Sequence, residues 1–269
     1  MNIFQTLLVD PFLNVLVFLV QLTGSLGWAI ILLTIALRLI LTPLTLPGLK
    51  LSKKMAELAP ELANLKEKYK DDKQGLVLAQ TELYKKHGAN PAAGCLPQIL
   101  QVVVLIALFN ALNLLLHTNS ADLAQVLNSR LYDFNQLSQG FSLSTKFAYL
   151  DLLKPDTIQI PGLPIPLPGI FLLFSALTQF LSAKMMSPVV SAEKKIAEKT
   201  KPEADDAMVA MQQQMIVMFP LMTIVFGFQF PAGLVLYWLV FSIMAMIQQY
   251  NITGWGGLAP LLKRFNLLK

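Results

Sequence analysis

Five stretches of the chain are nearly unbroken apolar runs, separated by polar segments of very different character. They fall at 25–46, 95–117, 168–186, 212–229 and 232–250. Each has about the length a helix needs to cross roughly 30 Å of hydrocarbon, some 17 to 25 residues. The last two merge into one apolar block, residues 213–249, about 55 Å long as a straight helix and too long for one crossing. Gly227, Pro231 and Gly233 supply the break, which predicts a tight helical hairpin.

The segment 47–94 has a different pattern. Met55, Leu58, Leu62, Leu65 and Tyr69 recur at helical spacing with charges around them, a single apolar stripe. Asp71-Asp72 suits a turn, Leu76, Ala79 and Leu83 give a returning helix a matching face, and Gly88 with Asn90-Pro91 ends it. This predicts a self-contained helical hairpin. Residues 118–167 form a long connection, stiffened by Pro155, Pro161, Pro164 and Pro166 before Pro168 opens the third run. Residues 187–211 begin as a polar, charge-balanced loop rich in Lys, Glu and Ala. Residues 1–24 are apolar, but Asp10-Pro11 interrupts them, and the expectation is an interfacial helix rather than a sixth span.

Composition agrees. Of 269 residues, 55% are hydrophobic and 14% charged, against roughly 25% charged in an ordinary soluble domain, and the mean hydropathy is +0.57. The expected fold is an all-α integral membrane protein with five transmembrane helices, multi-pass in the cell (plasma) membrane. Its orientation follows from basic residues, which accumulate on the cytoplasmic side. Nine Lys lie between Leu46 and Gly94, five between Lys184 and Met211, and two Lys plus Arg264 in the tail 251–269; the opposite side holds only Arg130, Lys146 and Lys154. Seventeen against three predicts N-terminus out and C-terminus in, with the 47–94 hairpin, the 187–211 loop and the basic tail cytoplasmic and 118–167 extracytoplasmic.

The net charge of +5 thus belongs to the cytoplasmic face, where it suits anionic headgroups of the lipid bilayer. Lys263-Arg264-Phe265 alone does not define a nucleic-acid site, and no direct nucleic-acid specificity is expected. Cys95 is the single cysteine, so neither an intrachain disulfide nor a cysteine-based zinc site is available.

Arg38 is the only charged residue within the five runs apart from Lys184 near the end of the third. A charge in the bilayer centre costs at least about 2.5 to 3.5 kcal/mol on insertion scales. Snorkelling toward the near interface is the simple explanation, yet side chains on a helix lean toward its N-terminus, which here points Arg38 deeper into the membrane. Thr34, Arg38 and Thr42 share one helix face. With this topology Gln98 and Gln101 of the second span, Gln179 and Ser182 of the third, and Ser242 and Gln248 of the fifth also fall in the inner half, whereas the outer half is far less polar. The distribution predicts a hydrated cavity open to the cytoplasm and sealed outside.

Met208, Met211, Met215, Met218 and Met222 form a methionine stripe. It reads as packing surface, with a pliable surface for varied apolar partners or a Cu(I) site as alternatives. His87 and His117 lie on opposite sides, no span contains Asp or Glu, and neither a phosphate loop nor a nucleophile elbow is present. No enzyme activity, metal or cofactor is expected.

Three motifs in order, GWAIILLTIALRLILTPLT, MAELAPELANLKEKYKDD running into HGANPAAGCLPQILQ, and FPAGLVLYWLVFSIMAMIQQY, resemble the YidC/Oxa1/Alb3 membrane protein insertases, in the short form without a large outer domain. Val103 stands where that family commonly has proline. The resemblance implies a hydrophilic groove whose positive charge is Arg38, with Thr34, Gln179 and Trp238, beside Tyr237, as groove or substrate-contacting positions. It implies nascent membrane proteins as partners, with the ribosome, the signal recognition particle machinery and a Sec translocon as further expected contacts. A small anion transporter using Arg38 as substrate site, and a non-inserting assembly factor of a translocase, are the alternatives from other classes.

Overall fold

A computed structural model describes residues 3, 5–69, 72–88, 96–117, 122–185 and 204–266. Cys95 and most of the 187–211 loop lie outside the described residues, as do the side chains of Met55, Gln98, Met208, Met211 and Met215. Among the described residues the chain is mainly helical, with α1 (Asp10–Thr23), α2 (Leu26–Lys68), α3 (Lys73–Lys86), α4 (Leu96–His117), α5 (Leu123–Asn128), α6 (Ile170–Met185), α7 (Ala204–Gly227), α8 (Ala232–Thr253) and α9 (Ala259–Arg264). The connection between α4 and α6 carries two small antiparallel ribbons, β1 (Lys146–Phe147) with β2 (Leu150–Asp151), and β3 (Thr157–Ile158) with β4 (Leu167–Pro168).

Gln5–Thr23, Leu26–Lys50 and Ala232–Thr253 are long and apolar enough to cross a membrane, and Leu100–Leu115, Ile170–Met185 and Ile216–Gly227 are shorter apolar helices. The last three coincide with the second, third and fourth predicted runs. The predicted break before the fifth also holds: α7 ends at Gly227 and α8 begins at Ala232.

Three boundaries differ from the expectation, one of them the start of α7 at Ala204, which lies inside the predicted 187–211 loop. Asp10-Pro11 does not interrupt the N-terminal segment; a π turn over Gln5–Val9 passes directly into α1. Pro11 sits in the first turn, where a missing N–H costs nothing and the fixed φ is already helical, and Asp10 there favours the positive end of the helix dipole. The first span and the first arm of the hairpin are likewise not separated near residue 46, because α2 is one helix of 43 residues that contains Pro43, Pro47 and Pro60. Each proline removes one backbone hydrogen bond, and neither the composition change at this point nor these losses stops the helix.

The chain divides into two compact units. The first comprises Met1–Ile40, Leu100–Leu177 and Met222–Ser242. Its core gathers Leu13, Leu16, Ile30, Leu112, Leu152 and Leu236 with many other apolar side chains. Leu13, Leu16, Val17 and Val20 give α1 a buried stripe, and the helix stops at Gly24, whose φ of +69° is the left-handed conformation that lets its N–H reach Val20 O at 2.8 Å. A polar seam joins α1 to the α4–α6 connection. Arg130 Nε donates to Asp10 Oδ1 at 2.8 Å, Asn14 Oδ1 accepts from Tyr132 N at 2.7 Å, and Asn135 Nδ2 donates to Asn14 O at 2.8 Å. Gln21 Nε2 extends the seam to Asn135 Oδ1 at 3.1 Å.

The same connection satisfies the N-terminal N–H groups of three helices, which have no partner within their own helix. Leu26 N donates to Ser144 O, Ala232 N to Lys154 O, and Gly233 N to Leu152 O. For α6 the acceptor is a side chain: Asp156, 2% exposed, takes Leu172 N on Oδ2 at 2.8 Å, while Tyr149 Oη donates to its Oδ1 at 2.8 Å and accepts Phe171 N at 3.1 Å. Gly169 is required by this cap, since a Cβ there would overlap the Asp156 carboxylate.

The second unit comprises Leu41–Ile99, Thr178–Leu221 and Ile243–Lys269. Its helical hairpin matches the sequence pattern. Leu58, Leu62 and Leu83 form the centre with Leu65 and Tyr84 against them, and Leu76 is buried. Asp72 caps α3 by accepting from Gly75 N at 2.9 Å. Lys54 Nζ donates to His87 O at 3.1 Å, tying the arms together near α3's C-terminus.

Candidate functional site

The N-terminal part of α2 is apolar on most of its surface, so its polar residues mark one direction. Thr34 is 2% exposed and Arg38 7%. Their spacing of four places them on one face. Thr34 Oγ1 donates to Ile30 O at 2.6 Å, which satisfies the hydroxyl within the helix. Arg38 reaches α8, where its Cζ lies 4.2 Å from the centroid of the Phe241 ring. A guanidinium over an aromatic face at this range is attracted by the ring's negative quadrupole.

From α8, Tyr237 and Phe241 stand one turn apart, with ring centroids at 5.9 Å. Tyr237 is buried and close enough to Arg38 for a direct electrostatic interaction. The Gln101 side chain of α4 lies at the Tyr237 hydroxyl. The two buried oxygens, Tyr237 Oη and Gln101 Oε1, make no hydrogen bond of good geometry. Trp238 is also buried and packs toward Phe230, centroids 6.1 Å apart. Ser242 Oγ donates back to Trp238 O at 2.8 Å, and Ser175 of α6 is fully buried in the same unit.

The first unit therefore contains Arg38, Thr34, Gln101, Tyr237 and Trp238 of the predicted site. Gln179 and Ser182 are half-buried on the part of α6 that belongs to the second unit. Gln98 is on α4 in that unit as well, its side chain outside the described residues. In the second unit Gln248 Nε2 donates to Thr42 Oγ1 at 2.7 Å, joining two of the polar positions that the sequence assigns to the inner half.

Sequence reasoning missed Phe241 as the partner of Arg38. Phe241 lies four residues after Tyr237, but an aromatic residue in an apolar helix is not distinguished in sequence from its lipid-facing neighbours. Within the described residues no group of three or more His, Cys, Asp or Glu could hold a metal ion.

Long apolar helices, with an arginine buried in one of them among hydroxyl, amide and aromatic groups, define a multi-pass helical membrane protein with a polar interior site. The description 60Kd inner membrane protein matches residues 18–256, and the chain belongs to that family, the YidC/Oxa1 family. Among similar proteins, one of Fusobacterium nucleatum subsp. nucleatum named membrane protein insertase YidC is 33% identical over 229 residues, 85% of this chain and 86% of that protein. Proteins of the same name from Pelobacter propionicus and Helicobacter pylori strain J99 are 32% and 31% identical over 92% and 87% of this chain. Of those two relatives the chain spans just over a third, 38% and 34%.

Proposed function

We propose that this chain is a membrane protein insertase and foldase, which receives nascent membrane segments in a hydrophilic groove carrying Arg38 and releases them sideways into lipid. The observation that carries the reading is the buried Arg38, held over Phe241 on the same helix face as Thr34. Intramembrane charges are rare and mark functional sites by default. The relatives' names supply the class of activity, and those names describe insertion rather than catalysis.

The proposed topology is five spans, N-terminus out and C-terminus in, supported by the distribution of basic residues. In it α1 lies along the outer interface. Its polar groups from Asp10 to Gln21 all meet residues 130–135, one short stretch of the extracytoplasmic connection, which favours a helix lying along that connection over one running away from it. The same connection closes the N-terminal ends of α2, α6 and α8, supporting a site sealed on the outer side. In this topology Gln98, Gln179 and Ser182 fall in the inner half of the bilayer.

A client's acidic outer tail would be drawn to Arg38, which shortens its path through hydrocarbon. Its apolar segment would then partition into lipid, driven by its own transfer free energy. The membrane potential, positive outside, adds about 2.3 kcal/mol per negative charge for each 100 mV. No nucleotide is needed. Clients would arrive from the ribosome, through the signal recognition particle machinery, with or without a Sec translocon. Liposomes containing only this protein should insert a single-span client with an acidic outer tail more efficiently than empty liposomes; equal yields would overturn the proposal.

A further inference from the structure

The β3–β4 ribbon and its turn form an apolar hairpin that the groove does not use. Ile158, Ile160, Leu163, Ile165 and Leu167 are all exposed, Leu163 at 51% and Ile165 at 67%. They are contiguous in space because the register Ile158 opposite Leu167 holds the two arms together. Thr157 and Gln159 are the only polar side chains from 157 to 168, and no charged residue occurs between Asp156 and Lys184. Isolated exposed apolar side chains are ordinary, but a contiguous uncharged patch on a projecting element marks a surface made to be covered.

We infer that this hairpin is a lipid-immersed anchor, dipping into the interfacial and upper acyl region of the leaflet where α6 begins. Three observations choose lipid over a protein partner. The patch continues without a charge into α6, whose exposed residues Ile170, Leu173, Phe174 and Leu177 form the outward face of an apolar helix. Its ribbon holds the backbone extended and the prolines remove N–H groups that would otherwise need partners. At its base Tyr149 is half exposed beside the Asp156 cap, the amphipathic aromatic that prefers the headgroup level. Because Asp156 also caps α6, the anchor fixes the depth of that helix. The inference rests on α6 being a span, and not on the activity of the Arg38 site.

The test uses the full chain with Cys95→Ser and an environment-sensitive fluorophore on one introduced cysteine, in vesicles of phosphatidylcholine and phosphatidylglycerol carrying lipids spin-labelled at shallow or deep acyl positions. Labels at Leu163→Cys and Ile165→Cys should be blue-shifted and quenched more by the shallow label than by the deep one. A label at Gln139→Cys, exposed elsewhere in the same connection, should be unquenched. Adding Ile165→Lys should reduce quenching of the Leu163→Cys label. Water-like, unquenched emission at 163 and 165 with a quenched control at Leu173→Cys on α6 would overturn the anchor alone. An unquenched Leu173→Cys control would overturn the span on which it rests. A blue shift without lipid quenching would mean that protein covers the hairpin, and would also overturn it.

Discussion

The guanidinium carbon of Arg38 lies 4.2 Å from the centre of the Phe241 ring, so a charge buried in α2 rests on an aromatic face supplied by α8. The contact lets Arg38 stay inside the first unit without being withdrawn to an interface. It joins the predicted charge to a helix that also presents Tyr237 and Trp238.

Phe241→Leu keeps part of the apolar volume and removes the quadrupole. It should lower stability by about 1 kcal/mol, with Phe241→Tyr close to neutral. Thermal unfolding of the purified protein in detergent checks this, and identical melting of the wild type and Phe241→Leu would argue against the contact.

Asp156 caps α6, and loss of a cap typically costs about 1 to 2 kcal/mol. Asp156→Ala should therefore destabilise the protein more than Tyr149→Phe, which removes the hydroxyl at the edge of the same cluster. Amide hydrogen exchange should show faster exchange at Phe171 and Leu172 in Asp156→Ala.

The Asp10–Arg130 ion pair is mostly buried, with side-chain exposures of 10% and 25%. Removing one partner of such a pair leaves a poorly solvated charge and can cost about 3 kcal/mol. Asp10→Asn and Arg130→Met should each destabilise strongly, and the double variant by clearly less than their sum. Additive losses in the double-mutant cycle would mean that the pair is not coupled.

In the hairpin of the second unit, Leu62 is 2% exposed between Leu58 and Leu83. Leu62→Ala should cost about 2 to 4 kcal/mol, expressed locally as faster hydrogen exchange along α3, whereas Val77→Ala on its exposed side should have little effect.

Much of this was legible in the sequence because it rests on periodicity. The hairpin core follows the Leu58, Leu62 and Leu83 pattern, the Asp72 cap follows turn chemistry, and the break between α7 and α8 follows Gly227 and Pro231. Arg38 stands out in the sequence as a charge in an apolar run, and Thr34 as the hydroxyl one turn before it on the same face. What escaped depends on long-range contact. Asp10-Pro11 looks like a breaker when read locally, yet Asp10 meets Arg130, 120 positions away, and Pro11 occupies a first turn that tolerates it. Asp156 reads as one more polar loop residue until folding brings the α6 N-terminus against it. Composition placed a boundary near residue 46, while backbone hydrogen bonding carries α2 on to Lys68.

The most direct test of the account compares wild type, Arg38→Lys and Arg38→Ala in proteoliposomes with two single-span clients, identical except for an acidic or a neutral outer tail. Arg38→Ala should sharply reduce insertion of the acidic client and leave the neutral one largely unaffected, with Arg38→Lys close to wild type for both. Equal loss for both clients in Arg38→Ala, or no loss for either, would contradict the role of the buried charge.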